Sequence, residues 1–201
     1  AKNDAYVATR NYLVQTDKLY LTYIALTIEH GNAIDFSKNG QDKEKIAKIL
    51  DSQSIYINSH IQKMNATKTL EQLPPLAKEL KAYLDGEFQL GLNKVFVIYE
   101  LVETESTLNE FLSLSRILDR VVVFKLRAGE TRSILANWSS EIKDIQTKTQ
   151  ESINLAREAL TQTSEDTATD GELNQISQIT QKAKQELKRS KPLFEEVVRI
   201  L

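Results

Sequence analysis

Apolar residues recur at heptad spacing along two stretches in the last third of the chain. The first stretch runs from Leu135 to Leu160 and the second from Leu173 to Leu201, with steps of three or four residues between apolar positions. Such steps keep the side chains on one helical face, which must bury against another helix. Between the stretches, Thr169 and Glu172 have the Thr-x-x-Glu spacing of a capping box. The pattern predicts an antiparallel, coiled-coil-like helical hairpin.

The remaining apolar positions predict that the rest of the chain is helical as well. They keep the 3.6-residue period of amphipathic helices, and the few Gly and Pro residues do not support a many-stranded fold. The expected helices span, in order, residues 4–30, 41–65, 75–127, 130–163 and 171–201. We therefore expect an all-α protein, an elongated antiparallel bundle of about four to six long helices that forms a single domain over 1–201.

Glycine and proline mark the expected interruptions of these helices. Gly86 and Gly91 predict a break or kink, because glycine costs about 1 kcal/mol relative to alanine inside a helix. Pro192 predicts a kink or a new start in the last helix, since it lacks an N–H and clashes with the preceding turn. Gly129 allows two interpretations: a turn that reverses the chain, or a position inside one helix from Gly91 to Gln162. The turn is favoured because the continuous helix would exceed ordinary globular lengths.

Composition narrows the class of protein. The 201 residues are 41% hydrophobic and 27% charged, with a formal net charge of -2. This slightly negative net charge does not supply the broad basic surface that is typical of a nucleic-acid-binding protein. The chain has no cysteine, which excludes disulfides, thiolate metal sites and a cysteine nucleophile. No run approaches the roughly 20 apolar residues that cross a bilayer.

The two ends of the sequence predict a part of a longer protein. The chain starts at Ala1 without a methionine and stops at Leu201 while its heptad stripe continues. We expect an excised or processed segment, and any membrane attachment would run through segments outside this chain.

Motifs for catalysis and metal binding are absent from the sequence. Neither of the two histidines, His30 and His60, has Glu or Asp three residues before it, as the carboxylate-bridged metal sites of helical bundles require. His30 lies at a helix C-terminus, where a histidine interacts favourably with the helix dipole. His60 lies at the flank of an apolar stripe. Neither position requires a role as a metal ligand. There is no Gly-x-Ser-x-Gly and no glycine-rich phosphate loop. We therefore expect no metal, no cofactor and no enzymatic activity.

Two sets of side chains are candidates for a ligand-binding site. Tyr20 and Tyr23 belong to a group of tyrosines on the first helix, which either direct their hydroxyls into a polar pocket between helices or fill the core. Arg116, Arg120 and Arg127 occur at i, i+4 and i+11 on one helical face. Guanidinium groups offer bidentate geometry for a carboxylate or phosphate. The alternatives are ion pairs with acidic neighbours or exposure to solvent.

Two functions fit these expectations. The first is a ligand-sensing bundle, the extracytoplasmic sensor domain of a bacterial transmembrane receptor, in which a small molecule binds between helices and shifts their packing. Its location would be periplasmic or otherwise extracytoplasmic. The alternative is a protein–protein interaction or scaffold module. It would pair with a second copy or another protein through the C-terminal helix, near Phe194, Val198 and Leu201.

Overall fold

The structure is a computed structural model that describes residues 2–129, 133–163 and 168–200. In these ranges the regular elements are all helical, which confirms the predicted all-α class. The α-helices are α1 (Lys2–Asn32), α2 (Gly40–Ala66), α3 (Leu73–Tyr83), α4 (Gln89–Arg127), α5 (Ser133–Gln162), α6 (Asp170–Lys188) and α7 (Ser190–Ile200). No helix in the described part of the chain is both long and apolar enough to cross a membrane.

Contacts divide the chain into two compact units, Ala1–Tyr99 and Glu100–Leu201. We call them unit 1 and unit 2. Helix α4 contributes its first part, up to Tyr99, to unit 1 and the remainder to unit 2. Each unit has its own set of buried apolar side chains, and each is described by itself below.

Unit 1 is built on the packing of α1 against α2, with α3 and the start of α4 completing its core. Tyr99 shows how closely the helices approach one another. Its hydroxyl donates a hydrogen bond to the Thr27 carbonyl at 3.0 Å, and a Cβ at Gly31 would overlap its ring. Helix α1 therefore continues through Gly31 to Asn32, because a residue without a side chain leaves room for the tyrosine.

The predicted interruption near Gly86 and Gly91 is a π-helical turn over Leu84–Phe88. The buried side chain of Gln53, from α2, reaches this turn and donates from Nε2 to the Phe88 carbonyl at 2.9 Å. A Cβ at Gly91 would overlap the same amide group. Gly91 thus permits a side chain from α2 to bind the backbone where the helix changes its hydrogen-bond pattern.

Within unit 2, the end of α4 confirms the predicted turn at Gly129. Helix α4 ends at Arg127, and Gly129 has a φ of 88°, the left-handed conformation that glycine adopts without strain. Helix α5 then runs antiparallel to α4. A bidentate ion pair marks this arrangement, since Arg157 donates from two nitrogens to the two carboxylate oxygens of Glu105, each at 2.6 Å.

The hairpin of α5 and α6 is also confirmed. Its second helix starts with the predicted capping box: Thr169 Oγ1 accepts from the Glu172 N–H, and the Glu172 carboxylate accepts from the Thr169 N–H at 2.8 Å. At the opposite end, Arg189 pairs with Asp144 at 3.1 Å. Most positions of the two heptad stripes are buried: Leu135, Trp138, Ile145, Ile153, Ala156, Leu160, Leu173, Ile176, Ala183, Leu187 and Val197. Leu201 lies outside the described residues.

Pro192 acts as a helix start, one of the two outcomes predicted for it. Helix α6 ends at Lys188, and α7 begins at Ser190, so that Pro192 falls in the first turn of α7. Helix α7 packs Val197, Leu193 and Phe194 against Trp138 and its neighbours. The core of unit 2 therefore includes the aromatic end of the C-terminal helix.

Candidate ligand-binding grooves

Tyr20 and Tyr23 line a groove of about 840 Å³ in unit 1. Tyr20 is half-buried and meets Phe88 edge-on, with ring centroids 5.1 Å apart, whereas Tyr23 is 45% exposed. The other lining residues are Leu19, Thr22, Leu26, Leu84, Asp85, Phe88, Gln89, Leu92, Asn93 and Phe96. The lining of this groove is thus mainly apolar and aromatic.

Arg116 and Arg120 line a second groove, of about 710 Å³, between α4 and α5 of unit 2. One wall comes from α4 and the other from α5. The half-buried Leu112 and Ile142 supply the apolar surface, Trp138 borders the groove but is only 1% exposed, and Lys143 adds a third cation. The remaining lining residues are Ser115, Asp119, Ser139 and Gln146.

The charges at this groove are predominantly positive. Arg116 donates from Nε to the Leu112 carbonyl of its own helix at 3.2 Å. Among the described residues, no ion pair joins Arg116, Arg120 or Lys143 to a carboxylate, so the predicted alternative of pairing with an acidic neighbour is not found there. All three residues are exposed, which is the other alternative predicted for the arginines. Asp119 also borders the groove. Three cations beside one carboxylate favour an anionic ligand.

The five predicted site residues do not form one site. Arg116 and Arg120 come together because positions four apart on a helix are neighbours. Arg127 is exposed near the end of α4 and is not part of the groove lining. The tyrosines belong to unit 1 and the arginines to unit 2.

The C-terminal helix presents less apolar surface than its pattern predicts. Phe194 is half-buried and stacks on Phe111, with ring centroids 5.6 Å apart. Val198 is 57% exposed. Among the described residues proposed to contact a partner through the C-terminal helix, it is therefore the one that faces solvent.

A buried ion pair in unit 1 was missed by sequence reasoning. Asp17 of α1 is 0% exposed and His60 of α2 is 1% exposed. His60 Nδ1 lies 2.8 and 3.0 Å from the two oxygens of the Asp17 carboxylate, and Nε2 lies 3.1 Å from the Leu76 carbonyl of α3. One signal was available: Asp17 lies seven residues before Ile24, and His60 lies between Ile57 and Met64 at helical spacing, so both occupy core faces.

The geometry of His60 makes it a structural group. The Asp17 carboxylate and the Leu76 carbonyl both accept hydrogen bonds. The imidazolium donates from both ring nitrogens, so Nδ1 satisfies the carboxylate and Nε2 satisfies the carbonyl. Neither nitrogen is left to take a proton from a substrate or to bind a metal ion. Within the described ranges, no group of three or more His, Asp or Glu side chains is placed to hold a metal.

The pKa of His60 follows from two opposed effects. Burial lowers the pKa, because it disfavours the charged form. The hydrogen bond and the negative charge of Asp17 raise it, as does the hydrogen bond to Leu76. These contributions prevail, and the pKa of His60 lies above its ordinary value of 6.5.

We expect the free energy of unfolding to fall as the pH rises from about 6.5 through the raised pKa of His60. Below 6.5 the imidazole is protonated in both states, and the ion pair contributes fully. At higher pH the folded protein must keep a proton that the unfolded chain has released, and this contribution is lost. Urea unfolding followed by circular dichroism at several pH values measures the effect. His60→Gln should flatten the dependence, whereas the exposed His30→Gln should retain it; the opposite pattern would refute the assignment.

Comparisons of the chain with protein-family models, curated proteins and solved structures gave no match. Function is therefore inferred from the two grooves. The groove of unit 2 has the more specific chemistry, because cationic side chains border the apolar surface of Leu112 and Ile142.

Proposed function

We propose that the chain is a non-enzymatic, ligand-binding helical bundle whose site is the α4–α5 groove of unit 2. The observation that carries this proposal is the placement of Arg116, Arg120 and Lys143 around Trp138 and Ile142. Cations without carboxylate partners are free to bind an anion, and the apolar surface beside them accepts the body of an organic molecule.

The ligand class follows from this combination. A carboxylate or phosphate would accept hydrogen bonds from the guanidinium groups, which lie one helical turn apart. An aromatic or aliphatic body would lie against the half-buried side chains of Leu112 and Ile142. The groove volume of about 710 Å³ falls in the range of small-molecule sites.

A role in sensing would use the position of the groove between two helices. A ligand that contacts α4 and α5 together favours one packing of the pair over another, and a packing shift is the signal that a helical sensor transmits. The more specific assignment, an extracytoplasmic domain of a bacterial receptor, stays a prediction from the sequence. The competing role, an interaction or scaffold module, is supported by exposed apolar surface on α4.

The chain offers a built-in reporter for the groove. Trp138 is the one tryptophan in the sequence and borders the groove, so tryptophan emission responds to changes in this part of unit 2. We expect aromatic anions such as benzoate or phenyl phosphate to change the Trp138 emission in a saturable way. The cation benzylamine, with the same ring, should have no such effect.

Charge-neutral substitutions test the assigned residues. Arg116→Gln/Arg120→Gln should weaken anion binding by about tenfold or more, because each removes a charge-assisted hydrogen bond. Lys182→Gln makes the same change at an exposed position of α6 and should leave the affinity unaltered. A flat response to the whole panel, or equal affinity in the double variant, would overturn the proposal.

A further inference from the structure

Helix α4 carries an exposed apolar stripe beside the face that packs into its core. Leu114, Ile117, Val121 and Phe124 define this stripe, which we call the α4 seam. Leu114 is 41% exposed, Ile117 63% and Phe124 67%, and Val121 is half-buried. Their spacing of three, four and three residues is that of a coiled-coil seam, and the set extends for about 15 Å along the helix.

The seam is a separate face, distinct from the core face of α4. Phe111, Ser115, Leu118 and Val122 are buried at the same helical period and hold α4 in unit 2. At 100° per residue, the seam lies roughly a quarter to a third of a turn from this buried set. The second apolar face thus has no partner within the described part of unit 2.

Basic side chains border the seam on both edges. On the helical projection, Arg116, Arg120 and Arg127 fall on one edge and Lys125 on the other. The one carboxylate in this part of α4, Asp119, projects to the opposite side, towards the α4–α5 groove. An apolar stripe with cationic rims selects a partner that is apolar at its centre and acidic at its edges.

The geometry points to the α4 seam as a docking surface for an acidic amphipathic helix of a partner protein. A helix fits because its apolar residues, at spacings of three and four, interlock with a seam of the same period. A second copy of the same seam is disfavoured, because pairing would bring the arginine and lysine rims together. This inference goes beyond the proposed ligand binding. Its apolar residues, Ile117 and Phe124, do not line the α4–α5 groove, whereas Arg116 and Arg120 border both surfaces.

The direct test uses the full chain and two synthetic helices of about five turns. Both carry the same Leu/Phe stripe and a fluorescent label, but one has Glu and the other Lys at the flanking positions. Fluorescence anisotropy should show that the Glu-flanked helix binds about tenfold or more tightly than the Lys-flanked helix. Equal affinity for the two helices, or no binding of either, would overturn the proposal.

Paired variants locate the binding surface. Ile117→Asp/Phe124→Asp should weaken binding of the Glu-flanked helix by about tenfold or more. Leu155→Asp places the same charge at a 56% exposed apolar position of α5 and should bind as the parent does. Because neither Ile117 nor Phe124 lines the α4–α5 groove, benzoate binding should persist in the double variant. Loss of both activities would indicate misfolding, which circular dichroism checks; if the fold is intact, that joint loss counts against a separate docking surface.

Two further measurements distinguish other occupants of the seam. Sedimentation of the chain alone detects self-association, and a dimer that Ile117→Asp dissociates would assign the seam to a second copy. Flotation with phosphatidylserine-containing vesicles detects a membrane surface, to which basic and apolar side chains also bind. Vesicle binding that depends on Phe124, without binding of the Glu-flanked helix, would replace a protein partner with a lipid one.

Discussion

Replacing Asp17 by alanine should lower the free energy of unfolding by about 3–5 kcal/mol. The substitution leaves His60 buried, with its Nδ1 deprived of the carboxylate that it binds at 2.8 Å. An unpaired buried charge costs more than the pair contributes, so the imidazole must lose its proton or draw in water. The loss should be largest near pH 6, where His60 of the parent protein is protonated.

Two control variants distinguish the loss of the Asp17 charge from the loss of its side-chain volume. Asp17→Asn keeps an oxygen that accepts from Nδ1–H and should cost less than alanine. Asp17→Leu/His60→Leu removes both polar groups and should recover much of the stability, because apolar pairs of similar volume replace buried ion pairs well. Urea unfolding at matched pH measures all three variants. A loss below about 1 kcal/mol for Asp17→Ala would show that the pair is not held as described.

The fold of this chain is largely predictable because its helices follow simple periodic rules. The burial of most heptad positions in α5, α6 and α7, from Leu135 to Val197, follows from steps of three and four residues. Local chemistry predicted the helix ends equally well: Gly129 reverses the chain, Thr169 caps α6 and Pro192 lies in the first turn of α7. Each of these signals acts within a few residues of its position.

The features that were not predicted depend on contacts between residues far apart in the sequence. Asp17 and His60 are 43 positions apart, and each alone is an ordinary polar residue near an apolar stripe. Burial of these two side chains is favourable only because they lie opposite each other. The periodicity along one helix does not reveal which polar side chain of another helix lies opposite. The same holds for Gly31, whose place inside α1 is explained by the ring of Tyr99.

Helical spacing predicted only the part of the candidate groove that lies on a single helix. Positions i and i+4 place Arg116 and Arg120 on one groove, but Arg127 lies about 16 Å along the axis from Arg116 and does not reach it. The contribution of α5, including Lys143 and Trp138, depends on how two helices pair. A single-helix pattern therefore identified one wall of the groove, and the tertiary structure supplies the other.

Trp138→Ala should destabilise unit 2 by about 3–5 kcal/mol. Trp138 is 1% exposed, and its ring packs against Phe194 of α7 with centroids 5.7 Å apart. Leu118 and Val122 of α4 belong to the same buried cluster. Truncation would therefore leave a cavity where α4, α5 and α7 meet. Side chains of all three helices would lose their contacts with the indole.

The measurement is urea unfolding followed by far-ultraviolet circular dichroism, since the variant has no tryptophan left to fluoresce. Trp138→Phe keeps an aromatic ring in the cluster and should lose less stability than alanine. Leu155→Ala, at a 56% exposed position, should change it by no more than about 0.5 kcal/mol. If Trp138→Ala cost as little as that exposed substitution, the indole would not be the centre of this core. The α4–α5 groove would then lack the core packing that holds α4 and α5, its two walls, in place.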